Sequence, residues 1–154
     1  MELKIYLAND LGFNDAGRYW LDNVLIPRIE EVVRAAGVEP VIYEPFRDNP
    51  GEGWKGLAEQ NEHYLLASNL FIGVSEGQSF DTGVAVEIGI SCNNDCTRRI
   101  HVLRTDSRRT NDHPDTTLNL QLQNSIEESG GGIHKSLDAL LRALDYHMYS
   151  LTQG

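Results

Sequence analysis

The sequence has no apolar run approaching the ~20 residues needed to cross a bilayer. Its first residues read as a strand, Leu3-Lys4-Ile5-Tyr6-Leu7, and not as a charged-then-apolar leader. A cytoplasmic protein with no membrane partner is expected. Basic residues are scarce, with 13 Lys+Arg against 23 Asp+Glu and a formal net charge of −10. Such a field repels phosphate backbones and anionic lipid, so a nucleic acid polymer is not an expected partner, whereas a small neutral ligand is easily accommodated. Cysteine is nearly absent. Cys92 and Cys96, four residues apart with His101 nearby, fall short of the ligand number and spacing of a metal site and read as two reduced thiols near a helix end.

What is present suits one domain spanning residues 1–154: 40% of the residues are hydrophobic, enough for a single core. Short apolar runs alternate with helical patterns, which reads as α/β. Strands are expected at Lys4 to Ala8, Val41 to Tyr43, Leu70 to Val74 and Ile100 to Leu103, with a weakly signalled fifth near Ile133. A helix capped by Asn14 or Asp15 should run to Gly37 with a kink or break at Pro27. Arg47 to Gly53 reads as a loop, and further helices are expected near Trp54 to Ala67, Thr82 to Asn94, Leu118 to Ile126, and after the capping Ser136. Gly130-Gly131-Gly132 reads as a flexible break. The polar stretch Arg104 to Thr116 is long for a loop in a compact domain, which marks it as functional or mobile. Strands joined by helical crossovers give a doubly wound parallel sheet with helices on both faces. Ligands then bind at the carboxyl ends of the strands, so the segments after Leu7, Tyr43, Val74 and Leu103 matter most.

The most informative window is Asp81-Thr82-Gly83-Val84-Ala85-Val86-Glu87-Ile88-Gly89-Ile90. From Gly83 to Ile90 every residue except Glu87 is apolar or glycine. A helix of that kind should be buried all round, with Thr82 as its N-cap and Gly83 allowing close approach of a ligand. One ionisable carboxylate there is costly unless it is hydrogen-bonded, paired or used, which makes Glu87 the leading catalytic candidate; the bland alternative is a solvent-facing or structurally paired glutamate. Asp81 can equally be a helix-start carboxylate favoured by the dipole. Tyr6, placed at the end of the first strand, can reach the same cleft or simply be core. Asn9, Asp10, Asn14 and Asp15 read as turn and capping residues by default. Their loop holds no glycine-rich phosphate fingerprint, and its carboxylates would repel a phosphate.

On Lys4-Ile5-Tyr6-Leu7-Ala8, on Asp81-Thr82-Gly83 followed by Val86-Glu87-Ile88-Gly89, on Thr117-Leu118-Asn119-Leu120, and on Thr105-Asp106-Ser107-Arg108, the sequence resembles the nucleoside 2-deoxyribosyltransferase family. The resemblance implies a flavodoxin-like five-stranded domain and exchange of 2-deoxyribose between nucleobases through an ester on Glu87. The chemistry parallels that of retaining glycosidases; a nucleophile and a leaving-group acid suffice for it, so neither a metal nor an organic cofactor is expected. By position, Tyr6 corresponds to the residue that orients the nucleophile, Asp81 to a sugar-hydroxyl ligand, and Asn119 to an asparagine that reaches a neighbouring subunit's site. A homo-oligomer acting on deoxynucleosides and free bases is thereby implied. Where some members carry a base-protonating aspartate, ungapped counting lands on Asn61, next to Glu62. Glu62, Asp10 or water is then left as the acid that the leaving base requires. Phe13 can stack on the base, with Tyr43, Glu44, Phe46 and Trp54 as further candidates for its pocket. The competing readings are a 2′-deoxynucleoside 5′-monophosphate N-glycosidase, for which Arg104, Arg108 and Arg109 could supply charge, and a non-catalytic nucleoside-binding module.

Overall fold

The computed structural model describes residues 1–94 and 98–153. Five strands, β1 (Glu2–Asn9), β2 (Glu39–Tyr43), β3 (Leu70–Val74), β4 (Arg99–Leu103) and β5 (Gly132–His134), form one parallel sheet in the order β2-β1-β3-β4-β5. The helices are α1 (Asp15–Trp20), α2 (Ile26–Ala35), α3 (Pro45–Asp48), α4 (Gly53–Ala67), α5 (Thr82–Asn94), α6 (Leu120–Glu128) and α7 (Leu137–Gln153). This is the expected single-domain α/β architecture. The short strand at Ile133 closes one edge of the sheet.

Alternation along β1 divides the core in two. Leu3, Ile5 and Leu7 pack with residues of α2 and α7, whereas Tyr6 and Ala8 face Leu65 of α4, Val84 and Ile88 of α5 and Ile126 of α6. Tyr6 therefore belongs to the α4/α5 side. It stands within β1, which continues to Asn9, and not at the strand's end as expected. Register sets it between Tyr43 on β2 and Phe71 on β3, with ring centroids 5.5 and 5.9 Å away.

Four expectations change in detail. The long first helix breaks through a π-helical turn at Leu21–Leu25 that runs directly into α2, so the expected break falls just ahead of Pro27 and not at it. Residues Arg47 and Asp48 close the short helix α3 and are not loop. The glycine triplet is no flexible break: Gly130 takes φ +75°, and a Cβ on Gly131 would sit 1.8 Å from the Ile100 carbonyl oxygen. Helix α5 is not buried all round. It lies in an outer layer and buries Val84, Ile88 and Ser91 against the sheet, while Val86 remains 57% exposed beside exposed Thr82, Gly83 and Gly89.

Candidate active site

A cavity of about 390 Å³ opens at the carboxyl ends of β1, β2 and β3, a volume in the range of small-ligand sites. Its wall comprises Asn9 from β1, Phe13 from the turn after it, Pro45, Phe46 and Asn49 after β2, Leu57 and Asn61 from α4, and Asp81, Gly83, Val84 and Glu87. Of the four segments expected to matter, the first three line it. A second depression of about 320 Å³ between α4 and α5 shares Asn61, Gly83 and Glu87 with the first.

Glu87 follows Gly83 by one helical turn, so no side chain stands above its carboxylate on that face. The Tyr6 hydroxyl, on a wholly buried ring, donates to Glu87 Oε1 at 2.6 Å. Burial, reinforced by the charge of Asp81, pushes the Glu87 carboxyl up to about 7 against the opposing effect of the tyrosine hydrogen bond. Burial and the adjacent Glu87 likewise hold the Tyr6 phenol far above its ordinary value, so it remains a hydrogen-bond donor. An acid that ionises near neutrality with one oxygen fixed and the other open to a cavity is suited to act as a nucleophile or a base.

Asp81 caps α5: its Oδ1 accepts from Val84 N at 2.9 Å and its carbonyl from Ala85 N at 3.0 Å. The cap is therefore Asp81 and not Thr82. The same residue also lines the cavity, so capping the helix and standing on the cavity wall are compatible. Phe13 is at the rim, 73% exposed, in an edge-to-face pair with Phe46 at 4.8 Å.

Several candidates lie elsewhere. Asp10 turns away from the cavity wall. Its Oδ2 accepts from Glu76 N at 2.9 Å, and burial near Asp81 and Glu76 raises its carboxyl to about 6. Glu62 is exposed and borders only the shallower depression. Trp54 is 77% exposed and lines neither cavity, while Glu44 is buried beneath Asn9, accepting from its Nδ2 at 2.8 Å. Asn119 caps α6, its Oδ1 accepting from Gln121 N and Leu122 N and its Nδ2 donating to Asp112, and it does not reach this chain's own cavity. Cys92 is partly buried with its thiol against the Ser125 carbonyl; Cys96 lies outside the described residues. Among the described residues no three His, Cys, Asp or Glu side chains are placed to hold a metal ion.

The arginines weighed as phosphate ligands have other partners. Arg104 is wholly buried and donates to the carbonyls of Ser75 and Gly77 at 2.7 and 2.8 Å. Arg108 pairs with Asp106, and Arg109 donates to the Pro114 carbonyl. No Lys or Arg lines the 390 Å³ cavity. Sequence reasoning missed the latch these contacts build: Glu76 accepts from Thr105 N and Asp106 N at 2.7 and 2.8 Å, while its own N–H is held by Asp10. The loops after β1, β3 and β4 are thereby tied together beneath the start of α5. The only prior signal was the polar length of the segment after Leu103.

Residues 5–127, most of the chain, match the family described as nucleoside 2-deoxyribosyltransferase. No curated protein matches the chain. Among solved structures, a conserved protein from Enterococcus faecalis V583 superposes with a TM-score of 0.73 at 22% identity, covering 96% of this chain and 99% of that one. A 2-desoxiribosyltransferase from Leishmania mexicana gives 0.64 at 20% identity, covering 96% and 97%. A CMP N-glycosidase from Clostridium botulinum gives 0.57 at 15% identity, covering 96% and 99%. At these identities the likeness is one of fold. No helix among the described residues is long and apolar enough to cross a membrane.

Proposed function

Because the chain belongs to the nucleoside 2-deoxyribosyltransferase family, we propose that it exchanges 2-deoxyribose between nucleobases, with Glu87 as the nucleophile. The observation that carries this reading is the 2.6 Å bond from Tyr6 to Glu87 at a cavity lined by two carboxylates and no cation. The free Glu87 oxygen attacks C1′ of a deoxynucleoside; the C1′–N bond breaks, and the base leaves with its electron pair and gains a proton. A deoxyribosyl ester on Glu87 results. A second base attacks C1′ from the vacated side through a ring nitrogen, gives up the proton of that N–H and releases the carboxylate, so protons balance and two inversions give net retention.

Tyr6 orients the nucleophile throughout, and Asp81, beside it on the cavity wall, takes a sugar hydroxyl. Phe13 and Phe46 supply the apolar wall for the base. Assembly of at least two copies is part of the proposal. It is supported by the exposed apolar residues Val86 on α5 and Leu120 on α6, two helices that pack on each other. Asn119, next to Leu120, would then complete a neighbouring subunit's site.

The rival N-glycosidase of 5′-monophosphates needs cations near the phosphate. The carboxylates on this wall, and arginines bound to carbonyls and Asp106, favour an uncharged 5′ end. Incubation with deoxyinosine, with and without adenine, decides between the two. Formation of deoxyadenosine that depends on added adenine supports transfer, whereas free deoxyribose alone, or turnover confined to the 5′-monophosphate, would overturn it. A deoxyribosyl mass increment on Glu87, absent in Glu87→Ala, separates catalysis from mere nucleoside binding.

A further inference from the structure

Asp81 and Glu87 offer the cavity the same arrangement, one carboxylate oxygen held and the other free. Asp81 Oδ1 accepts from Val84 N at 2.9 Å, and its Oδ2 has no partner among the described residues. What fixes the Asp81 backbone lies outside the cavity wall. Its N–H donates to Oγ of the wholly buried Ser75 at 2.7 Å. Ser75 is fastened in turn: its N–H donates to the Leu103 carbonyl at 3.3 Å, and its own carbonyl accepts from Arg104 Nη1 at 2.7 Å. Arg104 Nη2 donates to the Gly77 carbonyl at 2.8 Å, where the chain turns with φ +99°. One guanidinium, set just after β4, therefore spans two carbonyls of the irregular segment that carries Asp81 to the cavity. No carboxylate forms an ion pair with Arg104 among the described residues, and its remaining contact is again a carbonyl, that of Arg108. A buried charge with only carbonyl partners is costly to keep, and an ammonium could not reproduce this two-pronged hold.

We propose that Arg104 and Ser75, neither of which lines the cavity, are positioning residues for Asp81: they hold its backbone so that the free Oδ2 meets a sugar hydroxyl of the bound nucleoside. This rests on the deoxyribosyl-transfer reading and specifies how that site aligns its sugar. A hydroxyl held at one point fixes the ring relative to Glu87 and keeps C1′ within reach of the attacking oxygen. Without Ser75 Oγ the Asp81 N–H loses its acceptor. Without the guanidinium the Ser75 and Gly77 carbonyls lose their donor. In both cases Asp81 is still present but no longer held to one place, so the hydroxyl contact and the alignment of C1′ weaken together.

The test compares donors that differ by one hydroxyl: 2′-deoxyinosine, 2′,3′-dideoxyinosine and 2′,5′-dideoxyinosine, each with adenine as the incoming base. Exchange kinetics give kcat and KM for the wild type, Ser75→Ala and Arg104→Lys. In the wild type, loss of one of the two hydroxyls should lower kcat/KM about tenfold or more. In both variants the value for 2′-deoxyinosine should fall while that for the poorer analogue holds, so their ratio shrinks toward one. Asp81→Ala made in either variant should then add little further loss, because the contact it removes is already gone. Should Arg104→Lys fail to fold, Ser75→Ala, which deletes a single oxygen, carries the test alone. A wild type indifferent to both hydroxyls, ratios that survive in the variants, or an equal loss on all three donors would overturn the inference while exchange itself continues. Absence of exchange from 2′-deoxyinosine in the wild type would instead overturn the underlying function.

Discussion

The Tyr6 hydroxyl and the Glu87 carboxylate meet at 2.6 Å although 81 residues separate them in the chain. Strand alternation aims Tyr6 at the α4/α5 side, and its register partners Tyr43 and Phe71 hold the ring from either flank. Tyr6→Phe keeps that packing and removes only the donor. The exchange rate should fall roughly 10- to 100-fold, the cost of one hydrogen bond to a charged group. In the wild type, kcat/KM should rise with pH through about 7 as Glu87 ionises. Without the tyrosine donor, which lowers that value, the rise should move to higher pH, and a pH profile of the variant checks this.

Glu87 also sets a linkage between acidity and folding. Its carboxyl is raised from 4.5 to about 7 in the fold, so between those values the native state holds a proton that the unfolded chain has released. Stability from this group is present at low pH and is lost as pH rises toward 7. Glu87→Gln should therefore abolish exchange yet stabilise the protein at pH 8 by on the order of 3 kcal/mol, the difference vanishing near pH 4. Urea unfolding at the two pH values measures it.

On the opposite face of the sheet, three histidines pull the other way. His101 Nδ1 lies 2.9 Å from His134 Nε2, the His147 ring packs nearby, and His101 Nε2 and His147 Nδ1 have no hydrogen-bond partner among the described residues. Burial, reinforced by mutual repulsion and Arg99, pushes His101 down to about 3; burial and Arg99 push His147 to about 4, and burial alone lowers His134. The unfolded chain takes up protons here before the native one does, so stability falls as pH drops below about 6.5. His147→Leu, placed in the buried stripe of α7, should flatten the dependence of Tm on pH between 6 and 4. An unchanged slope would remove the cluster as its cause.

Asn119→Ser separates capping from reach. Serine caps a helix about as well as asparagine, so stability should change by no more than about 0.5 kcal/mol. If the side chain completes a neighbour's site, exchange should drop while sedimentation shows the assembly intact. Full activity would confine Asn119 to its cap on α6.

The order of strands and helices was legible in the sequence because their hydrophobic periods differ. Glu87 was legible because it alone is ionisable in an apolar window. The surroundings of that window were harder to read. An outer-layer helix buries one face only, so the apolar run around Val86 reported a surface without a partner in the single chain and not burial. Asp10 and Asn119 carry side chains suited to either a ligand or a backbone amide, and spacing does not separate the two uses. Arg104 was weighed as a phosphate ligand because its charge was visible, whereas the carbonyls of Ser75 and Gly77 that take its hydrogen bonds come together only in the fold. Asn61 accepts from Asn49 Nδ2, and Asn49 is held in turn by the Gly51 N–H and the Leu57 carbonyl, backbone groups that no residue type announces.

The stitching of Asp10, Glu76 and Arg104 gives the cavity one fixed lip. Segments clipped to each other under the head of α5 have little room to swing, whereas at the opposite lip Phe13 projects into solvent against Phe46. Amide exchange should accordingly be slow across residues 75–81 and faster across 11–14 and 45–52, the jambs staying still while the leaf moves.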